Sequence, residues 1–171
     1  ITKFKWIFEG GDSNQHSIRN GLWGLRDAGC DENDIILVHD GVRPLVSERI
    51  ISENIEKCQK YGYAITGMIC KEAIMQKVDD CVKNIDIPRE RLVRTQTPHT
   101  YPLHTLLKAH EEADSKGIDG TVASCTLMAE LGIEDQHLVM GSEKNGLKLT
   151  QTEDVELFKA LKHTTKDEWL K

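Results

Sequence analysis

This sequence has no membrane-length apolar run, no excess of basic residues, no paired cysteines, and none of the short motifs of metalloproteases or serine hydrolases. Its purest apolar stretch is Ile35-Ile36-Leu37-Val38, far short of the roughly 20 residues a spanning helix needs. No contact with a membrane is therefore expected. Lysines and arginines number 22 against 28 acids, a net charge of −6. That balance disfavours sequence-blind binding to nucleic acid, which needs a basic face. A small anion held by a few well-placed cations remains compatible with it. The five cysteines (Cys30, Cys58, Cys70, Cys81 and Cys125) are odd in number and include no C-x-x-C pair. Neither a disulfide framework nor a zinc site is signalled, so reduced thiols and a cytoplasmic protein are expected. The seven histidines show no H-x-x-x-H spacing, and there is no G-x-S-x-G elbow. The first residue is Ile1, and no signal-peptide pattern follows it.

At 171 residues, with 39% hydrophobic and 29% charged, the chain suits one domain with a sizeable core, not a fibrous or disordered polymer. Apolar strand-like runs alternate with amphipathic segments. Lys5 to Phe8 reads as a short strand closed by Glu9-Gly10-Gly11-Asp12. A helix is expected from about Ser13 to Ala28, with Ile18, Leu22 and Leu25 on one face and Gly29 as its C-terminal cap. Asp34 to Val38 suits a buried strand. Ser47 can cap the next helix, closed by Gly62, and Tyr63 to Cys70 reads as another strand. Lys71 to Thr100 is charge-rich and punctuated by Pro88 and Pro98, as expected of short strands or an arm. Helices follow at Leu103 to Gly117 and Thr121 to Leu131, then short strands at His137 to Met140 and Leu147 to Thr150. A last helix is capped by Thr152, with Glu153 and Asp154 in its first turn and Lys162 and His163 in its last. The order predicts an α/β fold with a mostly parallel sheet.

Ligands of open parallel sheets sit beyond the carboxyl ends of the strands. Two loops occupy that position. Gly10-Gly11-Asp12-Ser13-Asn14-Gln15-His16-Ser17 could let a ligand approach the backbone at a helix start, or could simply be a capped turn. In His39-Asp40-Gly41-Val42-Arg43-Pro44, Asp40 could hold Mg²⁺ and Arg43 a phosphate, or the two could pair and brace the turn. Arg89, Arg91 and Arg94 cluster before Thr95-Gln96-Thr97-Pro98, and Lys148 stands alone between Leu147 and Leu149. A cluster in a charge-rich segment is usually a solvated surface, and a strand lysine is more often exposed on an alternating face than functional. His39 and His99 read as hydrogen-bonded structural groups, not as bases.

Taken together, the motifs resemble the polyol-phosphate cytidylyltransferases, the family of the 2-C-methyl-D-erythritol 4-phosphate and D-ribitol-5-phosphate enzymes. The residues that carry the likeness are Gly10-Gly11-Asp12 with Ser17; Val38-His39-Asp40-Gly41-Val42-Arg43-Pro44; Arg89 followed by Thr97-Pro98-His99; and Leu147-Lys148-Leu149-Thr150 with Glu153-Asp154. The resemblance covers about Gly10 to Leu161. It implies a Rossmann-like α/β domain, a homodimer formed through a β-arm within Lys71 to Thr100, and a first βαβ unit absent before Ile1. It further implies CTP and a polyol phosphate as substrates and Mg²⁺ as cofactor. Carried over by position, Gly10, Gly11, Asp12, Ser17 and Gly41 would contact the nucleotide. Asp40 would sit by the metal and the polyol, and Arg43 would bind the polyol phosphate. Arg89 and Lys148 would hold that phosphate and aim its oxygen. The chain departs from the pattern at Asn14, where an arginine is common, and at Ala73 after Glu72, where a threonine after an aspartate is usual. Thr121-Val122-Ala123-Ser124 lacks the family's Thr-Asp-acid segment. A nucleotide-sugar glycosyltransferase with Asp40 as its metal-binding acid, and a non-catalytic binding module, are the competing readings.

Overall fold

The computed structural model describes residues 3–163. Serine side chains start the first two helices. Ser13 accepts from the His16 amide at the head of α1 (Asn14–Asp27), and Ser47 accepts from the Ile50 amide at the head of α2 (Glu48–Tyr61). Each cap satisfies an amide that the helix itself leaves unpaired. Between these helices runs β1 (Ile35–Val38), and after α2 comes β2 (Ala64–Ile69). The chain then leaves the body as a hairpin, β3 (Met75–Val78) and β4 (Cys81–Asn84), paired only with each other. It returns through a short 3₁₀ turn, Arg89–Arg91, into β5 (Val93–Pro102). Next come α3 (Leu103–Lys116), α4 (Ser124–Glu130), β6 (His137–Met140), the short α5 (Glu143–Gly146) and α6 (Thr152–His163).

The body sheet has the order β1-β5-β2-β6. β5 is antiparallel to both β1 and β2, whereas β2 and β6 are parallel. β1, β2 and β6 therefore point one way, as expected, but the sheet is mixed and two of its three pairings are antiparallel. The cause is the arm. The chain between β2 and β5 contains a hairpin and no crossover helix, so β5 comes back against its neighbour. Adjacent strand residues part to opposite faces. Ile36 and Ile65 join Leu22, Tyr101, Leu106 and Met128 under α1, α3 and α4, while Ile35 joins Ile50, Cys58, Ala64 and Val139 under α2.

Three expected elements differ. Lys5 to Phe8 forms no strand; it crosses α1, and the Phe8 ring occupies the space that a Cβ on Gly24 would fill. Leu147 to Thr150 has no ladder, and its backbone bond across to the body is Leu149 N–H to the Val42 carbonyl (2.8 Å). The Thr121 helix starts only at Ser124, because the Thr121 amide and hydroxyl both donate to Gln15 Oε1 (3.0 and 2.8 Å). At α6 Thr152 is the first helical residue, and it is Asp154 in the first turn that reaches back, its carboxylate accepting from the Thr150 and Gln151 amides at 2.8 Å. The His163 side chain and residues 164–171 lie outside the described residues.

His99 and His110 are each about 2% exposed. Neither ring nitrogen of His110 has a partner, nor does His99 Nε2. Desolvation pushes both rings down to about 4. Both are neutral in the fold and basic when unfolded, so the unfolded chain binds more protons between about pH 4 and 6.5. Stability should thus fall as pH drops through that window, by about 2 kcal/mol per histidine at pH 5. Urea unfolding at pH 7.5 and pH 5 should show the loss, and His110→Leu should roughly halve it. A flat profile above pH 5 would count against both buried neutral rings.

Candidate functional site

The 39–43 loop leaves β1 where β1 meets β5, with Val38 opposite His99. β5 is irregular there. Ile65 faces His99 but the next residue, Thr66, faces Gln96, so Thr97 and Pro98 bulge from the ladder. Proline has no amide to give to a ladder, and a bulge re-aims the residue beside it. The freed Thr97 hydroxyl accepts from the Asp40 amide (3.1 Å) and lies 3.0 Å from His39 Nδ1, while His39 Nε2 lies 3.0 Å from the Arg43 carbonyl. A ring that donates from Nε2 and accepts at Nδ1 satisfies all three bonds at once. The loop is thereby fastened at both ends.

Asp40 sits at the centre of a small ion cluster. Its Oδ2 lies 3.0 Å from Arg43 Nε and 3.4 Å from Lys148 Nζ. Burial pushes the Asp40 carboxyl up, but the Arg43 hydrogen bond and the charges of Lys148 and Arg43 outweigh it and hold the group below the usual carboxylate range. Arg43 also donates to the Gly146 carbonyl at the end of α5, which links the loop to the segment carrying Lys148. These three residues line a cavity of about 400 Å³ whose walls include Asn14, Ile18, Gln96, Thr97, His99, Val122 and Ser124. Asn14 donates to the Val122 carbonyl (3.0 Å), and Gln15 binds the Ile118 carbonyl and Thr121. The start of α1 thus fixes the opposite wall.

Asp40, Arg43 and Lys148, taken from the sequence as candidates, converge as expected. Arg89 does not join them within one chain. It lies at the root of the arm, half exposed, donating to the Lys71 carbonyl (3.2 Å) beside Glu90. Gly10, Gly11 and Asp12 form an exposed turn before α1. Ser17 is engaged inside that turn, accepting from the Gly11 amide (3.0 Å) and donating to the Ser13 carbonyl (2.9 Å). Gly11 is required by close approach, since a Cβ there would collide with His16, side chain and backbone alike. Gly41 is exposed in the turn after Asp40. Gln96, Thr97, Ser124 and the unsatisfied His99 were not among the site candidates. The available signal was the polar run Thr95-Gln96-Thr97-Pro98-His99-Thr100, whose last five residues lie buried inside a sheet.

Among the described residues no three His, Cys, Asp or Glu side chains are grouped to hold a metal. Of the described residues, Asp40 is the one carboxylate lining the cavity. Both cations engage its Oδ2, leaving Oδ1 for a hard cation that takes most of its oxygens from phosphate and water. Mg²⁺ is commonly held in that way.

The family model described as IspD, 2-C-methyl-D-erythritol 4-phosphate cytidylyltransferase, matches residues 3–163. A ribitol-5-phosphate cytidylyltransferase of Lacticaseibacillus paracasei is 43% identical over 163 residues, spanning 94% of this chain and 68% of that protein. A 2-C-methyl-D-erythritol 4-phosphate cytidylyltransferase of Clostridium acetobutylicum is 36% identical over 155 residues, spanning 91% of this chain and 64% of that protein. The chain thus spans about two thirds of the length of these curated relatives, by the 68% and 64% just given. Among solved structures, the 2-C-methyl-D-erythritol 4-phosphate cytidylyltransferase of Thermus thermophilus superposes with a TM-score of 0.77 at 26% identity, covering 96% of this chain and 80% of that one. The Francisella tularensis enzyme of the same name gives 0.80 at 24% identity, covering 90% and 70%, a likeness of fold.

Thr97→Val keeps the shape of the bulge but leaves the Asp40 amide and His39 Nδ1 without their partner. The expected cost is about 1–3 kcal/mol, with faster hydrogen exchange at the Asp40 amide than in the parent. Unchanged exchange there would mean that Thr97 does not fasten the loop.

Proposed function

The chain belongs to the 2-C-methyl-D-erythritol 4-phosphate cytidylyltransferase family, and from that premise we propose that it carries the acceptor side of a CTP-dependent cytidylyltransferase acting on ribitol 5-phosphate. The observation that supports the activity is the Asp40, Arg43 and Lys148 cluster at one cavity. The choice of acceptor follows the 43% identity to a ribitol-5-phosphate enzyme against 36% to a methylerythritol-phosphate enzyme.

In this reading a phosphate oxygen of the acceptor attacks the α-phosphorus of CTP. The new P–O bond forms as the bond to the β-phosphate bridge breaks, and pyrophosphate leaves with that electron pair. Little covalent work falls to the protein; positioning and charge neutralisation do most of it. Lys148 and Arg43 take the acceptor phosphate, matching its charge of about two with fixed cations. Asp40 keeps those cations parted and oriented before substrate arrives. Asp40 is the residue that would hold Mg²⁺, which when bound would supply positive charge to neutralise the charge developing on the phosphates. The nucleotide lies along the Gly10-Gly11-Asp12 turn and Ser17, with Gly41 beside it, because that turn leads into Asn14 and Ile18 of the cavity wall.

Arg89 reaches the phosphate from the arm of a second copy. The arm is paired only with itself, and Ile74, Met75, Val82 and Ile87 are exposed on or beside it, which suits a homodimer contact. A glycosyltransferase would bring a second acid beside Asp40, and none of the described residues lining the cavity is one.

The whole protein, given CTP, Mg²⁺ and ribitol 5-phosphate, should release pyrophosphate. Lys148→Ala should lower kcat/KM by about 10²- to 10³-fold, the usual loss for one removed electrostatic contact. No pyrophosphate with any polyol phosphate would reject the activity. Unaltered ligand binding in an Arg89→Ala, Lys148→Ala double variant would favour a binding module. Complementation tests the shared site. Mixing separately inactive Arg89→Ala and Lys148→Ala proteins should restore about a quarter of parent activity, because half the dimers are mixed and each has one intact site. No recovery on mixing would place Arg89 outside the partner's site.

A further inference from the structure

The turn on which both cations depend has little of its own to hold it. α5 is a single turn of four residues, Glu143–Gly146, too short to be stable by itself. Yet the Gly146 carbonyl at its end accepts from Arg43, and Lys148 follows two residues later with its Nζ 3.4 Å from Asp40 Oδ2. Where the two cations stand is therefore set by what fastens residues 141–146 to the body. The Gly141 amide donates to the Gly67 carbonyl (2.8 Å), Asn145 Nδ2 donates to the Leu45 carbonyl (2.8 Å), and Glu143 pairs with Arg94. Beneath the turn lies Gln96 of β5, a residue only 4% exposed.

The Gln96 amide sits between the two ends of the turn. Its Nε2 donates to the Ser142 carbonyl (3.0 Å) and lies 3.4 Å from Met68 Sδ. A Cβ on Gly141 would collide first with Gln96 Oε1, and a Cβ on Gly146 with Gln96 Nε2. Neither glycine has a positive φ, so the backbone does not demand glycine at either place. The volume of the Gln96 amide does. Two glycines five residues apart thus enclose one amide, and the turn fits over the side chain as a socket over a peg. Thr97, next along the strand, holds the other half of the ion cluster by accepting from the Asp40 amide (3.1 Å). Consecutive residues of β5 therefore fasten the Asp40 loop and the turn that meets Arg43.

We infer that Gln96 is a positioning residue: its buried amide seats the 141–146 turn and so sets where Arg43 and Lys148 meet the acceptor phosphate. This rests on the reading of the cavity as an acceptor site, and extends that site to a side chain whose amide touches no substrate. The carbonyl that receives Arg43 and the backbone from which Lys148 extends both shift when the turn shifts. A misplacement of about 1 Å can cost about 10²-fold in rate with every contacting side chain still present.

The test compares Gln96→Met and Gly146→Ala with the parent in the whole protein. Met matches Gln in length. Because Gln96 Oε1 has no hydrogen-bond partner, the exchange removes a buried unpaired atom along with one bond, which spares the fold. Gly146→Ala presses on the same amide from the side of the turn and leaves the core side chain in place. Each variant should raise the KM for ribitol 5-phosphate about tenfold, with kcat and the KM for CTP unchanged. The double variant should lose no more than the worse single one, since both changes act through one contact; additive losses would count against that contact. A merely structural glutamine would lower the folded fraction, and kcat with it, at unchanged KM. That result, or an unchanged acceptor KM in both variants, would overturn the positioning role and leave cytidylyl transfer standing. A measurement without substrate separates the two questions. The Arg43 Nε–H, hydrogen-bonded to Asp40, should exchange with solvent about tenfold faster in both variants than in the parent. Equal exchange would also overturn the proposal. Faster exchange in a protein that transfers no cytidylyl group would support the positioning role and reject the activity.

Discussion

One carboxylate oxygen governs the site. Asp40 Oδ2 draws in a guanidinium three residues away and an ammonium more than a hundred residues away. Without it, Arg43 and Lys148 would face each other as like charges at the edge of a partly buried cavity. Long flexible cations in that position would turn out to water. With it, both heads are held while the cluster keeps a net charge of one positive unit. In the proposed reading an incoming phosphate would meet cations already in place, so less ordering would have to occur on binding. A net charge of −6 is compatible with the proposed anionic ligand, since the field that would act on it is the local one.

The mixed sheet gives that cluster its mechanical setting. β5 touches both β1 and β2, and its bulge lies where β1 ends. It leads from the root of the arm to the cavity, passing Arg94, which pairs with Glu143 of α5. α5 in turn gives the Gly146 carbonyl to Arg43 and is followed by Lys148. One strand therefore connects the arm, the cavity and the helix that precedes the lysine. In a purely parallel sheet a crossover helix would replace the arm, and no strand would bridge these parts.

What could be read from the sequence was what local chemistry decides. Ser13, Ser47, Gly62 and Gly117 mark helix ends because a cap satisfies amides or carbonyls within a few residues. The pairing of Asp40 with Arg43 was likewise within reach, three residues apart. Strands require a neighbour, and that is a non-local fact. Leu147-Lys148-Leu149-Thr150 alternates as a strand does, yet it finds only the Val42 carbonyl, and Lys5 to Phe8 finds the face of a helix. Arg89 could be named a candidate from its motif, but its distance from Asp40 depends on where the arm points. Gln96, His99 and Ser124 were missed because their place at the cavity is settled only when the whole chain is in place.

The separation of ionic loops from neutral buried groups follows from what burial permits. A charge at the depth of His99 would need a partner ion or would neutralise itself, and desolvation does the latter to the ring. A charged group is tolerated only nearer water, where Lys148 sits. Charge in this cavity is thus confined to the loops at its edge, where Asp40 holds both cations by one oxygen.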